Sequence, residues 1–157
     1  MNEQAFSSAL QQLVGSTADR FVLHREPMLF LDRLTAIGPE FAECQWQVRE
    51  DFPLVVPGKG VPGYAGIEYM AQCVAVHSGA RANVRGVNPP LGLLLGTRNY
   101  ECRVPYFEVG GRFKAGCQEL VRDSQGMGSF ACRIEAAGTI IAEANLAVFE
   151  TPEETDE

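Results

Sequence analysis

Glu68 is the only charged residue between Gly60 and Ala80, in a run that otherwise reads as protein interior, GVPGYAGIEYMAQCVAVHSGA. An ionised carboxylate taken out of water is costly, so one placed here is paired, neutralised or put to use. Pro62-Gly63 and Ala65-Gly66 come just before it. Small residues at the start of a helix let a ligand or another backbone approach its free N–H groups. An acid beside exposed amides fits acid–base chemistry. It fits as well a helix N-terminal glutamate favoured by the macrodipole, worth about 0.3–1 kcal/mol. His24, in LHREPMLFLD, is the second candidate, because acid–base chemistry needs two titratable groups in different environments. Beside Arg25, Glu26 and Pro27 it also fits an ordinary surface residue. His77, the other histidine, lies about 13.5 Å from Glu68 along a helix, so the two cannot form a direct pair within one chain. It reads as a helix-face histidine.

Other chemistries find no support. The chain has no G-x-S-x-G elbow, Walker A loop, G-x-G-x-x-G after a strand or H-E-x-x-H. Two dispersed histidines do not suggest a metal site. Cys44, Cys73, Cys102, Cys117 and Cys132 are odd in number and lack C-x-x-C spacing, so they read as structural thiols in a reducing compartment. A formal charge of −7 argues against nucleic acid as the main partner. Arg81, Arg85, Arg98, Arg103 and Arg112 read singly as solvated arginines, although they could gather around one opening. No apolar run reaches the roughly 18–20 residues of a membrane span. The N-terminus, MNEQAFSSALQQL, lacks a basic and then apolar leader, so a cytoplasmic location is expected.

The elements that must position these residues follow from periodicity. Phe6, Ala9, Leu10 and Leu13 give a short amphipathic helix over 3–14, ended by Gly15 and Ser16. Met28 to Ile37 has strand character. In EFAECQWQVRE, Cys44, Trp46 and Val48 alternate with Glu43, Gln45, Gln47 and Arg49, which predicts a half-buried strand. Residues 51–63 are rich in Pro and Gly and lead as a loop into a helix from about Tyr64 to about Asn83. That helix is apolar nearly all round and must be buried on most sides. After Pro89-Pro90 the pattern is antiparallel β: Leu91–Val104 with a bulge at Gly96, Arg112–Arg122, a strand through Phe130–Ile134, and a last strand through Ile140–Val148. A single curved sheet wrapped around one long helix gives an α+β fold. With 157 residues the chain reads as one domain, 1–150, and an acidic, disordered tail, 151–157.

Three segments also carry a family resemblance. VLHREPMLFLDRL resembles the N-terminal segment of hot-dog-fold 3-hydroxyacyl-[acyl carrier protein] dehydratases, and VPGYAGIEYMAQCVA their central helix, with Pro-Gly, a glutamate five residues later and then Ala-Gln. LGLLLGTRNYECRVP and EANLAVF look like the later strands. In combination LHR-x-PML-x-LD, GIEYMAQ and LLLGTR are most similar to the branch associated with aryl polyene biosynthesis. The resemblance covers roughly 20–150. It implies a hot-dog fold with paired protomers and acyl tunnels along their interface. It implies dehydration of 3-hydroxyacyl thioesters to trans-2-enoyl thioesters, on substrate held by the phosphopantetheine arm of acyl carrier protein, with no other cofactor and no metal. Glu68 would protonate or position the departing 3-hydroxyl. Backbone amides around Gly63 would hold the enolate charge, and Gly63, Tyr64, Gly66 and Arg98 would contact substrate. The expected partners are acyl carrier protein and a second hot-dog subunit, identical or different.

The chain also departs from that pattern. The family's Gly-His-Phe-Pro motif is here Glu50-Asp51-Phe52-Pro53, with Asp51 in the histidine's place and VVPGKG added before Pro62; Leu23 replaces the proline before His24. The base is therefore assigned to His24, in this protomer or facing a partner's glutamate. Two other readings remain open: a non-catalytic or weakly active subunit supporting a catalytic partner, and a hot-dog acyl thioesterase.

Overall fold

A computed structural model describes residues 1–151. In chain order the elements are α1 (Glu3–Gln11), β1 (Arg33–Gly38), β2 (Phe41–Gln47), β3 (Val61–Pro62), α2 (Gly66–Arg85), β4 (Gly92–Cys102), β5 (Tyr106–Phe107), β6 (Arg112–Arg122), β7 (Met127–Ala136) and β8 (Thr139–Glu150). Short 3-10 turns cover Ala18–Arg20 and Gly63–Ala65. The sheet has six strands in the order β1-β2-β6-β7-β8-β4, and β3 and β5 pair separately ahead of α2. Every pairing is antiparallel. The sheet curves around α2, which is the hot-dog architecture the resemblance implies. The acidic tail lies, apart from Thr151, outside the described residues.

The strand patterns explain the wrapping. In β2, Ala42, Cys44 and Trp46 are buried while Phe41, Gln45 and Gln47 are exposed, so one face meets the helix and the other meets water. Trp46 stacks on Tyr69 of α2, with ring centres 4.0 Å apart and planes at 12°. Such contacts fix the register, since a one-residue slip would turn the apolar set outward. α2 ends where Gly86 takes a left-handed φ of 73° and Val87 N–H donates back to Ala82 O at 3.0 Å, a close that favours glycine. All five cysteines are unpaired thiols and all but Cys102 are buried. Among the described residues no helix is long and apolar enough to cross a membrane.

Several boundaries differ from expectation. The strand expected from Met28 begins only at Arg33, because residues 28–30 are bonded to a helix side chain instead of to a strand. α2 starts at Gly66, since Gly63–Ala65 forms the tighter turn. β4 has the bulge expected near Gly96 and a second irregularity between Arg98 and Glu101, where Asn99 has φ 55°.

His77 is fully buried on α2, with Nε2 3.1 Å from both Gly38 O and Pro39 O. Burial, together with Arg81 nearby, pushes its pKa down to about 4. Above pH 6.5 the ring is neutral folded or unfolded; between 6.5 and about 4 only the unfolded chain takes the proton, so stability falls as pH falls through that window. Urea unfolding should therefore show His77→Gln losing less stability than wild type between about pH 7 and pH 5, by on the order of 2 kcal/mol. Equal losses would show that His77 does not carry this dependence.

Candidate active site

His24 and Glu68 reach each other from opposite sides of one cleft. Glu68 sits in the first turn of α2, and no side chain caps that helix, whose N-cap is Ala65. His24 lies in the irregular segment ahead of β1. Arg25 folds back on this segment, its Nη1 donating to Val22 O at 2.8 Å and His24 O at 2.7 Å. The segment can lie against α2 because Gly79 has no side chain: a Cβ there would fall 1.8 Å from Phe21 O. The result places His24 Nε2 3.8 Å from Glu68 Oε1. Their side chains are 37% and 39% exposed, so both are open to a substrate. At that separation a proton can pass directly after a small movement or through one water. His24 Nδ1 is buried and meets no partner among the described residues.

Gln72, one turn after Glu68, ties the two halves together. Its Nε2 donates to Glu68 Oε1 at 3.0 Å and to Met28 O at 2.8 Å, and its Oε1 accepts from Phe30 N at 2.8 Å. The amide is 1% exposed and uses both ends, so its orientation is determined. These bonds explain why residues 28–30 leave the sheet. Sequence reasoning noticed Gln72 beside the glutamate but gave it no role; its i,i+4 spacing from Glu68 was the available signal.

The glycine turn is braced from β4. Tyr100 Oη donates to Gly63 O, and Cys102 Sγ to Val104 O at 3.2 Å. Burial pushes the Tyr100 hydroxyl pKa up, keeping it a donor. A Cβ on Gly66 would lie 2.2 Å from Tyr100 Oη, so this approach requires a glycine. The N–H of Gly63 is already given to Pro105 O at 2.9 Å, and its carbonyl also accepts from Gly66 N–H. Gly63 therefore shapes the turn, and its own amide is engaged. Tyr64 is 76% exposed beside it. Arg98 is not brought to the pair. It lines a separate cavity of about 600 Å³ with Leu95, Met127 and Asn145.

A cavity of about 250 Å³ adjoins the pair, lined by His24, Glu68 and Gln72 and then by Ala71, Ala75, Leu93, Val148 and Glu150, among others. It is a mostly apolar groove with His24 and Glu68 on its wall. Such a site suits proton transfer on a chain-like substrate.

Comparison with known proteins points the same way. A family model described as "ApeP-like: ApeP dehydratase" matches residues 16–157. Among solved structures, the dehydratase heterocomplex ApeI:P from Xenorhabdus doucetiae is 30% identical, with 88% of this chain and 92% of that chain covered and a TM-score of 0.81. A hypothetical thioesterase with coenzyme A from Streptococcus pneumoniae is 8% identical, covering 78% and 88%, with TM-score 0.61. The TT0310 protein from Thermus thermophilus is 21% identical, covering 80% and 98%, with TM-score 0.57. The last two share the fold alone. No curated protein matches the sequence.

Truncating Gln72 to Ala leaves the buried Phe30 N–H without its partner and frees the part-buried Met28 O. An unsatisfied buried group costs about 1–3 kcal/mol, so chemical denaturation should show a loss of roughly that size. A loss under about 0.5 kcal/mol, the size of an ordinary surface substitution, would contradict the clamp.

Proposed function

The chain belongs to the ApeP-like dehydratase family, and from that premise we propose that it dehydrates 3-hydroxyacyl thioesters on acyl carrier protein to trans-2-enoyl thioesters, in aryl polyene biosynthesis. The observation that carries the reading is His24 Nε2 at 3.8 Å from Glu68 Oε1, on the wall of a mostly apolar groove. His24 takes the C2 proton. The C2–H electron pair forms the C2=C3 bond as the C3–O bond breaks, and the hydroxyl leaves as water with a proton from Glu68. The proton on His24 then returns to Glu68, resetting both groups. Charge developing on the thioester oxygen is held by amides at the uncapped start of α2, where the helix dipole favours it.

We further propose that the working unit pairs this chain with a second hot-dog subunit in the cytoplasm. β4 is an edge strand, and Leu93, Leu94 and Leu95 along it are 42–54% exposed. An edge of that kind invites another strand. The similar ApeI:P structure is a heterocomplex. Acyl carrier protein delivers the substrate on its phosphopantetheine arm, and no other cofactor enters the scheme.

The test is loss of water by mass from 3-hydroxyacyl carrier protein, with this chain alone and with its hot-dog partner. Glu68→Gln and His24→Ala should each slow dehydration about 10²–10⁴-fold without unfolding the protein. Full activity in both variants would remove these residues from the mechanism. Release of free thiol instead of water would indicate a thioesterase.

A further inference from the structure

We infer that Trp46 marks a second ligand site, a crevice that takes a small organic amine carrying a carbonyl oxygen. The crevice lies between the segment ahead of β1 and the end of β2. Two cavities there, of about 180 and 490 Å³, share Glu26, Asp32, Trp46 and Arg49 and so adjoin. His24 and Glu68 border neither of them. The smaller cavity has aromatic walls. Phe30 packs on Phe52 and, at 5.1 Å between ring centres, on Tyr69, which in turn stacks on Trp46.

The floor of the crevice lacks an acceptor. Trp46 is 2% exposed, and its buried Nε1–H meets no partner among the described residues. An indole nitrogen can only donate, and a buried donor left unmet costs about 1–3 kcal/mol. The nearby Tyr69 hydroxyl cannot serve. The two rings are stacked with planes at 12°, so the indole N–H, lying in its own ring plane, runs alongside the phenol. The mouth has the opposite need. Glu26, Asp32 and Asp51 border the smaller cavity, with Arg49 the one basic residue among them. Three carboxylates against one guanidinium, around aromatic rings, favour a cation. An ammonium group answers the carboxylates, and a carbonyl oxygen on the same molecule answers the indole. A purely structural account would have a trapped water accept from Trp46 while the acids are simply solvated. It predicts no response of Trp46 to an amine.

Trp46 is the only tryptophan, so its indole N–H gives one identifiable signal in a proton–nitrogen correlation spectrum of the full chain. The probes are δ-aminovaleramide, which has both groups, pentylamine, which lacks the carbonyl, and valeramide, which lacks the charge. δ-Aminovaleramide should move the signal saturably, with a Kd on the order of 1 mM. Each of the other two should bind at least about tenfold more weakly. Combining Glu26→Gln with Asp51→Asn, both at exposed positions, should weaken δ-aminovaleramide roughly tenfold and leave valeramide unchanged. A signal that does not move, a single-group probe that binds as tightly as δ-aminovaleramide, or an unchanged affinity in the double variant would each overturn the assignment. Should that variant fail to fold, salt decides. At about 1 M ionic strength, where charges are screened beyond about 3 Å, the wild-type affinity should fall roughly threefold or more, and an unaltered affinity would refute the site.

Discussion

A helix of 20 residues with Tyr69, Met70, Cys73, Val74 and Val76 on different sides of its axis cannot rest on a flat sheet, which would cover one stripe and leave the others in water. Burying each large side chain is worth about 1.5–3 kcal/mol, so exposing even two would consume much of a small domain's net stability. The sheet must therefore curl, and the alternation in β2 gives it the apolar face to do so. What the sheet does not reach becomes equally determined. The less covered positions on α2 include Glu68, Ala71 and Ala75, which share one stripe. The groove runs along that stripe, between α2 and the β4 and β8 strands at one end of the sheet.

Closing that side is the task of an irregular segment. Residues 21–30 pass over the start and middle of α2 without sheet bonds, so their peptide groups need other partners. Gln72 supplies two of them at Met28 and Phe30, and its remaining hydrogen goes to Glu68. One amide thus couples the backbone that carries His24 to the carboxylate that faces it. Gly79 contributes by absence, letting Phe21 O come closer than any side chain would allow. The separation of His24 and Glu68 is in this sense a property of packing within one chain.

The fold was largely legible because period-2 and period-3.6 patterns report burial directly. β2, the long helix and the later strands all stand where the alternation put them, and the β4 bulge coincides with a glycine. The misplacements have local causes. Met28–Leu31 carries apolar residues that suit a strand, yet its hydrogen bonds run to a side chain 42 residues away, which no local pattern encodes. Arg98, expected to contact substrate, lines a different cavity from the one that borders His24 and Glu68. Amides around Gly63 were expected to hold the enolate charge, and that of Gly63 itself is given to Pro105 on the connection between β4 and β5. Tyr100, which braces the same turn, could not be read from spacing because its partner is a backbone carbonyl brought near by tertiary packing.

Asp51 lines a different cavity, with Phe30, Phe52 and Tyr69, and is not among the residues that border His24 and Glu68. Phe30 packs edge-on against Phe52, ring centres 5.0 Å apart at 89°, in the wall of Asp51's cavity. The backbone bearing Phe30 is the one Gln72 holds. A base at position 51 would thus border the aromatic cavity, whereas His24 borders the groove that Glu68 also lines. His24 and Glu68 stand 3.8 Å apart on one chain, so the pair is complete without a second subunit. The β4 edge, with Leu93, Leu94 and Leu95 exposed along it, is where the sheet stays open to another strand.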